Sequence, residues 1–237
     1  RLQQETLGVL GVNLIYGAFF KHNKPKKLLK YLYDHIDRDT IEIDLINFKG
    51  PHFESVDNRL MSLQLIKNNM TEAIMFNPDG FNVLPAAVLY KKNILALRGS
   101  FRPVTKVNMD MFKKSYEIFV QEATVNYKDT EVIFEITLSN LKSLGEIDEI
   151  DFIDRATLLC SLGHTVMISK FQEYYKLSHP PAKVGDRWKT FKIDLRRYRG
   201  QFRGGLSEEI RNFWVSTQNF NFQKIGCSKR PREQFPM

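Results

Sequence analysis

The chain has 237 residues, of which 43% are hydrophobic and 26% are charged, a composition typical of a globular domain. Its length allows one large domain or two small ones, and no stretch approaches the roughly 18 uninterrupted apolar residues of a membrane-spanning helix. Two cysteines are too few for a disulfide framework or a paired-cysteine metal site. We therefore predict a cytoplasmic protein without a membrane partner.

The net charge of +8 is concentrated at the C-terminal end. Residues 181–237 hold 13 lysines and arginines against five acidic residues, whereas residues 1–180 are neutral. This asymmetry divides the chain into a predicted α/β domain, residues 1–177, and a basic, poorly ordered tail, residues 178–237. The tail is either an arm that binds nucleic acid or a segment that is not native to the protein.

The predicted elements begin with an apolar, glycine-containing segment, residues 7–20, which indicates a buried strand. Pro25 and the leucines that follow it at helical spacing predict a helix. Residues 40–48 alternate between apolar and acidic side chains and predict a second strand, from which Asp44 points either to solvent or into a site. Asp57 is the predicted N-cap of the next helix.

The middle of the chain continues this alternation. Residues 72–77 predict a strand that ends in a turn, and residues 83–97 predict a hairpin whose second arm is a short apolar strand. One apolar face at helical spacing predicts a helix over residues 108–123.

The pattern extends to about residue 177. Residues 131–138 predict a fifth strand, and residues 148–162 predict a helix that Gly163 closes. Residues 164–169 predict the sixth strand.

Six strands that alternate with helices indicate an α/β fold with a mainly parallel sheet. Polar residues recur at the strand ends. This favours a (β/α)-barrel-like or partial-barrel fold, because a barrel would bring those ends together on one face. An open doubly wound sheet is the alternative. The residues expected to converge are Asn13, Asp44, Asn77, Arg98, Arg102, Glu135, Ser139 and Lys170.

The clearest candidate site is the turn that follows the apolar run of residues 94–97. Arg98 and Arg102 are four residues apart and flank Gly99 and Ser100, a combination that suits a phosphate or a carboxylate. In α/β proteins ligands bind outside the carboxyl ends of the strands, which is where this turn lies. The alternative is that the two arginines form structural ion pairs at the strand end.

The other candidates complete a predicted enzyme site. Asp44 and Glu135 would supply acid/base or metal-binding carboxylates, and Lys170 a further charge. The sequence does not specify a metal, although Mg²⁺ is expected if the substrate is a nucleotide. Three further polar residues are expected to contact the substrate: Asn13, Asn77 and Ser139.

Several phrases of the sequence resemble one bacterial family: ETLGVLGVNLIYGAFF, IEIDLINFKGP, VDNRLMSLQLIKN, AIMFNPDG, LYKKNILALRGSFRPVT and TEVIFEITLSNL. The resemblance covers about residues 5–177. It is to a little-characterised, Bacteroidetes-type α/β family whose members bear the names nicotinate-nucleotide adenylyltransferase or TonB-dependent receptor. It implies that residues 1–177 are an N-terminal portion of a longer family fold, followed by an unrelated tail.

The two family names differ in what they require of the residues. The first implies a nucleotidyltransferase-type transferase, which carries a (H/T)xGH motif near its first strand and a later ISSTxxR motif. Neither motif occurs here, and the Gly163–His164 pair lies before the sixth predicted strand. The second name implies alternating transmembrane strands, whereas this sequence has helical periodicity.

Three functional hypotheses follow from these observations. The first is a cytoplasmic enzyme that binds a small anionic substrate, either phosphorylated or nucleotide-like. The second is a non-enzymatic interaction protein whose residues 181–237 bind nucleic acid through arginine–phosphate and aromatic–base contacts. The third is an inactive fragment.

Overall fold

A mixed β-sheet with helices packed on it forms the centre of the fold. The computed structural model describes residues 2–37, 40–123, 125–142, 145–172 and 189–194. The strands are β1 (Ala73–Phe76), β2 (Asn82–Val83), β3 (Asn93–Arg98), β4 (Thr130–Thr137), β5 (Thr165–Ser169) and β6 (Lys189–Asp194). The helices are α1 (Leu2–Phe20), α2 (Pro25–Tyr31), α3 (Asn58–Lys67), α4 (Pro85–Leu89), α5 (Lys106–Phe119), α6 (Leu138–Leu141) and α7 (Glu149–Ser161).

The strands lie in the order β2-β1-β5-β4-β3-β6. Strands β5, β4, β3 and β6 are parallel to one another, whereas β1 is antiparallel to both of its neighbours. The sheet is therefore open, with β2 and β6 at its edges. This confirms the α/β class and corrects the barrel-like expectation, because the antiparallel β1 and the two-residue β2 end the sheet instead of closing it.

Local sequence signals account for the helix starts. The Asp57 side chain accepts a hydrogen bond from the backbone of Arg59 at the start of α3, as predicted. Thr105 forms a capping box with Asn108 at the start of α5, and Asp148 caps α7. These caps satisfy backbone N–H groups that have no partner within a helix.

Apolar side chains cover both faces of the sheet. On one face Phe112 of α5 meets Phe134 of β4, and Phe152 of α7 meets Phe76 of β1. The other face carries a separate cluster, which consists of Met75, Leu89, Ile94, Ala96, Ile133, Met167 and Phe171. A third cluster joins α2 and α3 beside the sheet.

Residues 7–20 correct a prediction, since they belong to the helix α1 and not to a strand. Apolar residues occur on every side of this helix, so the sequence lacks the 3.6-residue period that separates a helix from a buried strand. Gly17 allows α1 to approach α2, because a Cβ atom at this position would lie 3.1 Å from Cγ of Leu28. No helix in the described part of the chain is long and apolar enough to cross a membrane.

Two other predicted elements are also corrected. Residues 40–48 form no strand. Their backbone groups bond elsewhere instead, for example Ile43 N–H to the Met70 carbonyl. The predicted hairpin of residues 83–97 is α4 followed by β3, because Pro85 occupies the first turn of a helix and cannot donate to a strand ladder. The tail predicted at 178–237 contains β6, and its other residues lie outside the described part of the chain.

Candidate functional site

The candidate site lies along the carboxyl edge of the sheet, defined here as the carboxyl ends of β3, β4 and β5 with the amino end of β1. The amino end of β1 belongs to this edge because β1 is antiparallel to β5, with Ala73 opposite Ser169. The backbone N–H of Lys170 donates to the carbonyl of Glu72 at 2.9 Å, which joins the two chain segments.

A buried ion pair occupies this edge. Arg98 donates from Nε and Nη2 to the two carboxylate oxygens of Glu135, at 2.8 and 2.7 Å, and both side chains are fully buried. The Ser169 hydroxyl donates to Glu135 Oε1 at 2.6 Å, and Arg98 Nη1 donates to the Gln172 carbonyl at 3.1 Å. This geometry corresponds to the structural ion-pair alternative for Arg98, because its guanidinium does not face solvent.

The loop after β3 is held from three directions. Gly99 N–H donates to the Glu135 carbonyl at 3.1 Å, and the side chain of Asn140 donates to the Gly99 carbonyl at 3.2 Å. Arg155 Nη1 donates to the Ser100 carbonyl at 3.0 Å. These contacts fix the backbone at the point where the sequence predicts an anion-binding turn.

Phe101 in this loop has a strained backbone. Its φ angle of 44° is uncommon for a residue with a bulky side chain. Its ring is buried and lies 5.2 Å from the ring of Phe134, so packing holds the residue in this conformation. Backbone strain of this kind is concentrated at functional sites, where it persists because the surroundings determine it.

Arg102 forms a second ion pair on the same edge. Its Nε lies 2.9 Å from Oδ1 of Asp151, and the other carboxylate oxygen of Asp151 accepts a hydrogen bond from Arg155. The Arg102 side chain is 42% exposed, whereas Nε of the buried Arg155 has no hydrogen-bond partner. The carboxylate thus links one solvent-facing arginine to one buried arginine.

Asp44 lies at the amino end of β1. The Thr71 hydroxyl is 3.1 Å from a carboxylate oxygen of Asp44 and 3.1 Å from one of Glu42. Since Thr71 also contacts the carbonyl of Ala73, these carboxylates belong to the carboxyl edge. Asp44 is half-buried there.

Ser139 and Lys170 follow β4 and β5 at the same edge. Ser139 is an exposed residue, and its hydroxyl lies 2.8 Å from the hydroxyl of Thr137, which caps α6. Lys170 directly follows β5 and is half-buried. Most of the predicted residues therefore lie on one edge, although the sheet is open.

Two predicted residues lie elsewhere. Asn13 is buried on α1, where its side chain donates to the carbonyls of Leu32 and Asp34 at 3.1 and 2.7 Å. Asn77 follows β1 at the opposite edge of the sheet, and its Oδ1 accepts the N–H of Phe81 at 2.8 Å. Both side chains tie backbone segments together.

Sequence reasoning missed several polar residues of the edge: Thr71, Asn140, Asp151, Arg155 and Ser169. Asp151 and Arg155 had a detectable signal, because an acid and a base four residues apart on a helix form a pair. The other three had none, since a lone serine, threonine or asparagine has no pattern that marks it.

A groove of about 490 Å³ begins at Val104, beside the loop. This size is within the range of small-molecule sites. Lys106 and Lys113 give it two cations against the single acid Asp110. Its full lining is Val104, Thr105, Lys106, Met109, Asp110, Lys113, Leu158 and Leu162.

Within the described ranges, no group of three or more histidine, cysteine, aspartate or glutamate side chains could hold a metal ion. The Mg²⁺ ion expected with a nucleotide stays a prediction, because Mg²⁺ is usually held by one or two carboxylates together with substrate phosphates. The described cysteine, Cys160, is buried in α7, and this burial raises the pKa of its thiol.

Comparison of the chain with protein-family models, with curated proteins and with solved structures found no match. The family resemblance and the two names that it carries stay predictions.

Proposed function

We propose that the carboxyl edge binds a small anionic ligand, phosphorylated or nucleotide-like, and that the chain is the core of an enzyme acting on it. One observation carries this proposal. Successive strands β3, β4 and β5 step in one direction across the sheet, and the chain then returns to place β6 on the other side of β3. Ligands of open α/β sheets bind at the carboxyl ends of the strands where the order reverses, here β3 and β6.

The residues at this point have different roles in the proposal. Arg98 positions Glu135 and the loop, because its guanidinium is enclosed. Arg102 contacts the anion, since it reaches solvent and its partner Asp151 retains Arg155 when Arg102 turns away. Ser100 and Ser139 add hydrogen bonds, and the groove beside the loop receives the rest of the ligand.

The carboxylates also divide between two roles. The Glu135 carboxylate accepts three hydrogen bonds from Arg98 and Ser169, so its proposed role is to hold this edge of the sheet together. Asp44 is half-buried and accepts a hydrogen bond from the Thr71 hydroxyl, and we propose it as the group for proton transfer. Lys170, at the adjacent strand end, is the proposed second cation. The transfer reaction named by the family resemblance is the class we would assay first.

Ligand-induced stabilisation tests the proposal. The melting temperature of the full chain would be measured with inorganic phosphate, sugar phosphates and nucleotides, and a ligand present at 100 times its dissociation constant stabilises by about 2.7 kcal/mol. We expect a shift with a phosphorylated ligand that Arg102→Ala abolishes. Lys114→Ala is the matched control, because Lys114 forms a comparable surface ion pair with Glu117 on α5. If no ligand of these classes shifts the melt, or if Arg102→Ala keeps the shift, the proposal is wrong.

A further inference from the structure

Helix α1 has two stripes on opposite sides. The inner stripe consists of Thr6, Leu10, Asn13 and Gly17. It faces the body of the protein: Asn13 and Gly17 are buried, and Thr6 and Leu10 are half-buried. The outer stripe consists of Gly8, Val12, Ile15 and Phe19, and its three side chains are 65%, 62% and 72% exposed.

The exposed surface of α1 is continuously apolar. Between Glu5 and Lys21 the helix has no charged residue, and its single amide side chain, Asn13, points inward. Large apolar side chains flank the outer stripe on both sides, including Leu7, Leu14, Tyr16 and Phe20. Monomeric proteins rarely expose contiguous apolar patches above a few hundred Å². A surface of this kind is typical of a site that binds a partner.

We propose that the outer stripe of α1 binds the outer stripe of a second copy of this chain, with the two helices antiparallel. A two-fold axis between residues 12 and 15 makes the stripe complementary to itself. It sets Val12 of one copy against Ile15 of the other. It also sets Phe19 against Gly8, where no atom lies within 4 Å of the position a Cβ would take.

Charge at the helix ends favours the antiparallel orientation. Glu5 lies near the start of α1, and Lys21 follows its last residue. The antiparallel arrangement brings Glu5 of one copy beside Lys21 of the other at both ends. A parallel arrangement would bring like charges together, which is unfavourable.

The length and the apolar area of α1 also suit a second copy of the chain. A helix of 19 residues is about 28 Å long at 1.5 Å per residue. A stable interface buries roughly 800 Å² on each partner. Seven large, exposed apolar side chains on and beside the outer stripe, without Leu14, supply surface of that order. An anionic lipid surface fits less well, because it would repel Glu5 and would attract only the lysine end.

Sedimentation equilibrium of the full chain tests the association. We expect a dimer whose dissociation constant rises at least about tenfold in Ile15→Glu, which buries a charge at the interface. Leu14→Glu is the matched control: it also replaces an exposed apolar residue of α1, but off the outer stripe, and should leave the dimer intact. Far-ultraviolet circular dichroism verifies that both variants keep the wild-type helix content.

Disulfide cross-linking tests the orientation. In a Cys227→Ser background, in which Cys160 stays buried, the Val12→Cys/Ile15→Cys variant should form a covalent dimer faster than either single variant. A wild-type chain that is monomeric at all concentrations overturns the proposal, as does a double variant that cross-links no faster than the single variants. A monomer that binds phosphatidylserine vesicles and loses this binding in Ile15→Glu would overturn it in favour of a lipid surface.

Discussion

At the scale of single residues, the main consequence of the buried Arg98–Glu135 ion pair is the stability that the protein loses when one partner is removed. Two charges lose their hydration when they are enclosed, and each recovers this loss only from the other and from the hydrogen bonds around it. The bonds around the pair include those from Ser169 and to the Gln172 carbonyl. Removal of one partner leaves an uncompensated charge in the interior.

We predict that Glu135→Gln lowers the free energy of unfolding by about 3 kcal/mol or more, since it leaves Arg98 buried without its counter-charge. The double variant Arg98→Met/Glu135→Leu should lose less than the single variant. Urea denaturation would measure both. Glu117→Ala, which breaks an exposed ion pair, is the control and should cause no resolvable change. Additive losses in the double variant would contradict this account.

His164 predicts a pH dependence. Its ring centroid lies 4.6 Å from that of Phe134 and 4.8 Å from that of Phe112, and burial there lowers the pKa of the imidazole below its ordinary value. The unfolded chain therefore takes up this proton at a higher pH than the folded chain. The neutral, buried imidazole of His164 therefore contributes fully to the free energy of unfolding above about pH 6.5. This contribution is lost as the pH falls below that value.

His164→Phe should therefore reduce the loss of unfolding free energy between about pH 7.5 and pH 5.5. Urea titrations of wild type and variant at several pH values would show the difference. Parallel pH profiles of the two proteins would count against this role of His164.

At the scale of single residues, the sequence could not specify the site, because it does not show which side chains contact one another in space. The spacing of Arg98 and Arg102 drew attention to the end of β3, but two arginines beside a glycine suit an anion site and an ion pair equally. What separates these uses is a contact with Glu135, 37 positions along the chain, which no local pattern contains.

At the scale of elements, the close approach of α1 and α2 depends on the missing side chain of Gly17. A glycine-to-alanine change inside a helix normally stabilises it by about 0.5–1 kcal/mol. At Gly17 the added methyl group would lie 3.1 Å from Leu28 Cγ, whereas at Gly11 nothing lies within 4 Å.

We therefore predict that Gly17→Ala destabilises the protein and that Gly11→Ala stabilises it. Thermal unfolding of the two variants at equal concentration would test the contrast. Equal and positive shifts would mean that α1 does not pack on α2 as described.

Elements with a clear period could be predicted from the sequence. Helices α5 and α7 and strands β4 and β5 agree with their predicted ranges to within a few residues. Helix α1 could not be identified, because apolar residues occur on every side of it and the sequence therefore lacks the 3.6-residue period of a surface helix.

At the scale of the whole molecule, the basic C-terminal residues remain the basis of a separate prediction. Residues 197–237 lie outside the described part of the chain, and they carry eight lysines and arginines against three acids. Each phosphate contact contributes about −0.9 to the slope of log binding constant against log salt concentration on duplex DNA.

If these residues bind nucleic acid, the triple variant Arg197→Gln/Arg199→Gln/Arg203→Gln should reduce the magnitude of this slope by about 2–3. Fluorescence anisotropy with a labelled duplex at several salt concentrations would measure it. The matched control neutralises three exposed lysines of the body, Lys24, Lys27 and Lys30, and should leave the slope unchanged. Equal slopes for wild type and both variants would contradict the prediction.

The α/β class and the parallel run of strands were predictable, because alternation of strands and helices determines both. The strand order was not predictable. It depends on pairings such as β3 with β6, which join segments that are far apart in sequence. A barrel and an open sheet share the same alternation, so only those distant pairings separate them.

The position of β6 also has a consequence for synthesis of the protein. Strand β3 acquires one neighbour, β4, soon after it leaves the ribosome, but its other neighbour is translated about a hundred residues later. Throughout that interval β3 is the edge of a growing sheet, with unpaired backbone groups that another nascent chain could join. Aggregation during expression should therefore depend on how quickly residues 189–194 become available, and slow translation between β5 and β6 should increase it.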